Sequence, residues 1–185
     1  VVGEGTGEGL GQLTLHEYNG MNQLVHTTTA DKTMTYSYQA DGLRATKTVN
    51  GVLTRHIWDG DQIVLELDGT GAVSGKYVRG INLLSSENGA GTTKRYPLYN
   101  GHGDTVQLTD ATGNVVKLYD YDSFGNEKNI DNTDSNPFRY CGEYFDKETG
   151  AIYLRARYYD PSIGRFISED SNWGKDSDPL MLNLY

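Results

Sequence analysis

Asp68-Gly69-Thr70-Gly71 carries lettering that resembles an aspartic-protease Asp-Thr-Gly site, in which an ionisable carboxylate activates water. The same Asp-x-Thr-Gly-x-Val pattern returns 42 residues later at Asp110-Ala111-Thr112-Gly113-Asn114-Val115, and a longer relative follows at Asp146-Lys147-Glu148-Thr149-Gly150. A catalytic loop is not copied this way, so these aspartates are expected to shape turns. Asp131-Asn132-Thr133-Asp134-Ser135-Asn136 offers oxygen ligands for calcium but lacks the glycine and terminal glutamate of an EF-hand loop, and it reads as a solvated loop. His16, His26, His56 and His102 fall one per repeat without metal-ligand spacing, and no metal or cofactor is expected. Cys141 is the sole cysteine, so no intrachain disulfide can form, and it is expected as a small buried hydrophobe. Tyr153, Arg155, Arg157 and Tyr159 alternate with Ile152, Leu154, Ala156 and Tyr158, which predicts one strand with a cation and aromatic face.

The elements that position these residues recur. Tyr18, Tyr38, Trp58, Tyr99 and Tyr121 stand about 20 residues apart, with Tyr77 expected to fill the one gap. Four residues beyond the aromatic comes Gly42, Gly103, Gly125 or, in the first copy, Asn22, the residue types that enter the left-handed region most cheaply. Each unit thus predicts a strand ending in a left-handed turn. In Thr33-Met34-Thr35-Tyr36-Ser37-Tyr38, residues 34, 36 and 38 share one face, and Val64 to Leu67, Val106 to Thr109 and Val115 to Tyr119 read as further strands at hairpin tips. No long stretch keeps a 3.6-residue apolar period, and a short helix is placed only within Asp170 to Leu182. The fold class is therefore all-β: tandem hairpins forming part of a curved, spiralling sheet, with little or no helix.

Composition narrows the partners. Of 185 residues, 14 are Tyr and 23 Gly against 4 Pro, which suits sheets with frequent tight turns. A formal charge of -9 argues against nucleic acid, whose phosphates need clustered cations, and no apolar run is long enough to span a bilayer. The start at Val1-Val2-Gly3 and the apolar end Leu180-Met181-Leu182-Asn183-Leu184-Tyr185 read as those of a fragment or processed product.

Tyr153-Leu154-Arg155-Ala156-Arg157-Tyr158-Tyr159-Asp160-Pro161, followed by Gly164-Arg165-Phe166 and Asp170, resembles the RHS repeat-associated core domain, and the Tyr-x-x-x-Gly units resemble YD repeats. The resemblance runs from about Tyr18 to Tyr185, with residues 1–136 as a hairpin array and 137–185 as a core domain cut short at its end. It implies a bacterial secreted or cell-surface shell of the wall-associated and polymorphic-toxin type. The expected partners are the remaining repeats of that shell and an enclosed C-terminal toxin polypeptide. It further implies aspartyl-type self-cleavage of the parent chain, with Asp170 as one catalytic aspartate and Arg157 as the arginine beside it. The second aspartate belongs to a further Asp-Pro-x-Gly motif absent from this chain, and Asp160 in Asp160-Pro161-Ser162-Ile163-Gly164 is expected to cap a turn instead. Two alternatives remain: a surface module stacking glycans on aromatic residues, and a glycosidase, for which no acid pair stands out.

Overall fold

The computed structural model describes residues 14–88, 93–170 and 185. Eleven strands follow one another in a single antiparallel sheet whose spatial order is the chain order. They are β1 (Leu15–Tyr18), β2 (Leu24–Thr28), β3 (Thr33–Tyr38), β4 (Arg44–Val49), β5 (Val52–Asp59), β6 (Gln62–Leu67), β7 (Val73–Arg79), β8 (Leu83–Asn88), β9 (Lys94–Tyr99), β10 (Thr105–Thr109) and β11 (Val115–Leu118). A second, four-stranded sheet follows: β12 (Tyr144–Asp146), β13 (Ala151–Leu154), β14 (Arg157–Asp160) and β15 (Arg165–Phe166). The only helical turn among the described residues is the 3-10 turn Tyr140–Gly142. The helix expected within 170–182 lies outside the described residues apart from Asp170.

One hairpin spends about 20 residues, which is the sequence period. From β3 onward, an anchor at or just beyond the end of each odd strand reaches across its own hairpin to a backbone carbonyl at the start of the preceding even strand. Tyr38 Oη donates to Leu24 O at 2.7 Å, Trp58 Nε1 to Arg44 O at 2.9 Å and Tyr99 Oη to Leu83 O at 3.0 Å. Tyr121 Oη repeats the contact on Thr105 O at 3.0 Å. The expectation that Tyr77 fills the gap is corrected here. Arg79 holds the anchor position, with Nε donating to Ile63 O at 3.0 Å, while Tyr77 turns to Glu66. Counting back from the strand end, not from the nearest aromatic, identifies the equivalent residue. Each contact adds a net 0.5–1.5 kcal/mol or so and fixes the register of one hairpin on the next.

The turns match their lettering. Asp68 N–H donates to Ala72 O, Gly71 N–H to Asp68 O, and the Asp68 carboxylate accepts from Thr70 N, Thr70 Oγ1 and Ala72 N. Asp110 repeats every one of these contacts with Thr112, Gly113 and Asn114. Gly71 and Gly113 sit at φ +89° and +86°, and Asn22 takes the left-handed place in the first Tyr-x-x-x-Gly unit at +58°.

Alternation buries Met34 and Tyr36 and leaves Thr33, Thr35 and Ser37 exposed. The buried face of the large sheet receives the small one as a plug. Contacts run from Tyr18 on β1, whose Oη donates to Ile167 O, to Thr105 on β10, whose Oγ1 donates to Phe138 O. In a flat sheet β1 and β10 would lie roughly 43 Å apart. The plug touching both is only about 19 Å wide, counting the Phe138–Tyr144 bridge as a fifth strand. The large sheet therefore curls around the plug.

The expected single strand through Tyr153 to Tyr159 is also corrected. The chain reverses after Leu154, which pairs with Arg157, and Arg155 takes φ +60° in the two-residue turn. Two-fold alternation consequently breaks there, and Tyr153 and Tyr158 become a cross-strand pair buried on the same face.

Candidate functional site

The plug is held by charges that local sequence does not bring together. Arg44, at 0% exposed, opens β4, and its guanidinium meets both oxygens of Asp146, itself at 0% exposed at the end of β12. Lys47, further along β4, bridges Asp146 Oδ1 at 2.9 Å and Glu148 Oε2 at 3.0 Å, so two cations balance two anions. Aromatic rings complete the enclosure. The Arg44 guanidinium lies 4.3 Å from the Tyr153 ring centre and 5.0 Å from that of Tyr144, and it donates to Tyr158 Oη at 3.0 Å. Burial alone would raise the Asp146 carboxyl, but Arg44 and Lys47 outweigh it and hold the group at about 2. Burial, then Arg44 and Lys47, drives His56 well below the ordinary histidine range, so its ring is neutral beneath the plug. A second cluster binds the approach to the plug: buried Arg139 contacts Glu127 at 2.7 Å and Asp134 at 3.2 Å.

Arg157 and Asp170 meet. Arg157 Nη2 lies 2.8 Å from Asp170 Oδ2, and the guanidinium stacks 3.7 Å from the Phe166 ring centre. The arginine comes from β14 and the ring from β15, so a hairpin fixes two of the three groups. The backbone leading to Asp170 is tied to the first hairpin, through Tyr18 Oη on Ile167 O and Asn22 Nδ2 on Glu169 O at 2.7 Å. The arrangement holds a partly exposed carboxylate against a fixed cation at the β1 edge of the sheet. Asp160 caps its own turn instead, its carboxylate accepting from Ser162 N at 2.8 Å and from Ser162 Oγ at 2.7 Å.

Arg155 is paired with Glu143 at 2.7 Å and donates through Nε to Asp61 O, so the guanidinium groups of the motif do engage carboxylates, each in its own setting. Asp131 binds Thr133 N and Oγ1 within its own loop. Cys141 differs from expectation, being exposed. It occupies the left-handed position of the 3-10 turn, at φ +53°, where its N–H donates to Asp104 Oδ1 at 2.9 Å. Partial removal of the sulfur from water, with Asp104 and Glu143 nearby, pushes its thiol up to about 11. His102, expected to stand apart from metal-ligand partners, lies 2.9 Å from Asp104 and 3.9 Å from Cys141. The sequence separates Cys141 from the other two by almost two repeats, so spacing gave no signal.

The Teneurin YD-shell family model matches residues 11–185. A tRNA(Glu)-specific nuclease, WapA, of Bacillus subtilis subsp. natto is 42% identical over 156 residues, covering 82% of this chain and 7% of the relative. The double-stranded DNA deaminase toxin A of Burkholderia cenocepacia is 27% identical over 199 residues, covering 88% of this chain and 14% of the toxin. Among solved structures, the TcdB2-TccC3 crystal structure superposes with a TM-score of 0.70 at 23% identity, over 93% of this chain and 10% of that one, a likeness of fold. The chain thus spans a small fraction of the proteins it matches.

Proposed function

Since the chain belongs to the YD-shell family, we propose that it is the closing segment of a larger bacterial shell, secreted or cell-surface, that encloses and delivers a C-terminal toxin polypeptide. Residues 1–136 form wall and residues 137–185 the core domain that plugs it. One observation carries this reading: a single plug touches strands from β1 to β10 on one face, which supports a sheet built to curl around contents. The 7% and 14% coverage fits a part whose remaining wall and passenger lie elsewhere in the parent. On this reading the nuclease and deaminase activities named for the relatives belong to the portions this chain does not match.

A second reading rests on the Arg157–Asp170 contact. Asp170 serves as one acid of a self-cleaving pair whose second member lies downstream, and Arg157 holds its carboxylate in place. The acid pair removes a proton from water as it adds to the scissile carbonyl, and returns one to the departing amine when the C–N bond breaks. A parent chain extended past residue 185 tests this by mass spectrometry. Two fragments are expected from the unaltered chain, one intact chain from Asp170→Asn and slowed cleavage from Arg157→Ala, with Asp160→Asn unaffected. Cleavage indifferent to Asp170→Asn refutes the assignment.

The glycan alternative needs exposed rings. Tyr36, Tyr77, Tyr144, Tyr153 and Tyr158 are buried between sheet and plug, which favours the shell reading.

A further inference from the structure

We propose that His102, Asp104 and Cys141 form a zinc site that staples the β9–β10 turn to the plug. Their ligand atoms, His102 Nδ1, an Asp104 carboxylate oxygen and Cys141 Sγ, all lie within 4.8 Å of one another. Nitrogen, carboxylate oxygen and thiolate sulfur together are a donor set suited to Zn²⁺. Tetrahedral zinc with its usual bond lengths sets such donors about 3.5 Å apart. The Nδ1–Oδ1 separation of 2.9 Å and the Sγ–Nδ1 separation of 3.9 Å bracket that value to within roughly 0.6 Å, and the remaining sulfur–carboxylate pair lies within 4.8 Å, so closing on an ion asks for side-chain shifts of about 1 Å at most.

The scaffold gathers the three groups independently of any ion. Asn100 Nδ2 donates to Asp104 Oδ2 at 2.7 Å, and Cys141 N–H to Oδ1 at 2.9 Å, so the carboxylate is oriented from both sides. The two segments are joined behind the site by Thr105 N–H on Arg139 O and Thr105 Oγ1 on Phe138 O. His102 and Cys141 are exposed while Asp104 is buried, which leaves a fourth position open to water or to another part of the parent protein. A cysteine nucleophile is the rival use of these residues. Nucleophilic dyads engage the two histidine nitrogens separately, one on the thiol and one on the orienting carboxylate. Here Cys141 and Asp104 converge on the same Nδ1, the geometry of shared coordination.

Co²⁺ is the probe, added to the intact 185-residue chain and followed by absorption. A thiolate-to-cobalt charge-transfer band saturating at one equivalent and displaced by Zn²⁺ is expected. Cys141→Ser should abolish the band. His102→Ala, an exposed change, should weaken Co²⁺ binding by at least the roughly 10–100-fold seen when even a supporting partner of a metal site is lost. Both variants should retain the parent's near-ultraviolet dichroism and metal-free melting temperature, and Zn²⁺ should raise the melting temperature of the parent alone. Absence of the band in the parent, or a band that persists undiminished in His102→Ala, overturns the proposal.

Discussion

Replacing Asp146 by Asn removes one charge from an enclosure that has four and leaves the shape almost unchanged. Lys47 keeps Glu148, but Arg44, at 0% exposed, is left without a carboxylate. Breaking a buried pair from one side costs about 3–5 kcal/mol. For a chain of this size each kcal/mol lowers the melting temperature by about 2–4 °C, so a drop of about 6–20 °C is expected by calorimetry at neutral pH. Acid should act on the same group. The folded Asp146 carboxyl titrates near 2 and its ordinary value is 3.8, so its contribution is complete above about pH 4 and is lost as pH falls towards 2. That shift corresponds to roughly 2 kcal/mol, less than the substitution costs, because a protonated acid can still accept a hydrogen bond from Arg44. The Asn variant should accordingly show a flatter stability profile between pH 4 and 2. Removing both partners, with Arg44→Met and Asp146→Leu, should recover most of the loss, since apolar packing can replace a balanced buried pair. An Asn variant melting within about 2 °C of the parent, below the roughly 1 kcal/mol level, would refute the buried Arg44–Asp146 pair as the latch that holds the plug.

Gly125→Ala should destabilise by about 3 kcal/mol against about 1 kcal/mol for Gly113→Ala, read from urea midpoints. Both glycines are left-handed, but a Cβ at Gly125 meets the Tyr140 ring at 2.6 Å while one at Gly113 meets nothing; equal losses would contradict the packing. Arg155→Gly relieves a left-handed arginine at φ +60° and loses a part-exposed ion pair, two effects of about 1 kcal/mol or less each way. Its stability should stay within about 1 kcal/mol of the parent, and a loss above about 2 kcal/mol would show that the Glu143 contact matters more. The Asp110 carboxyl, lowered by donors from Thr112 and Asn114, should titrate by carbon-detected NMR at about 2, and a midpoint near 3.8 would mean that the turn contacts are not held in solution.

Local structure was legible because each hairpin is specified within about 20 residues. Asp68 and Asp110 shape turns through contacts no more than four residues away, so their repeated lettering is sufficient information. Met34, Tyr36 and Tyr38 likewise declare their shared face by alternation. The latch was not legible. Arg44 finds Asp146 across 102 residues, and in the sequence it is one arginine beside a turn. Arg155 misled for the opposite reason: an alternating motif concealed a two-residue reversal that carries no glycine. The Arg157–Asp170 contact stands between these cases, since the family resemblance named both residues, the β14–β15 hairpin turns the chain back beside Arg157, and distant contacts from Tyr18 and Asn22 hold the segment that carries Asp170.

Limited proteolysis of the full parent protein, with the fate of its C-terminal passenger followed by mass spectrometry, tests the shell most directly. The passenger should resist digestion while the shell is intact, and become digestible in the Asp146→Asn parent at temperatures where the latch has opened. A passenger digested as fast within the parent as on its own would contradict enclosure.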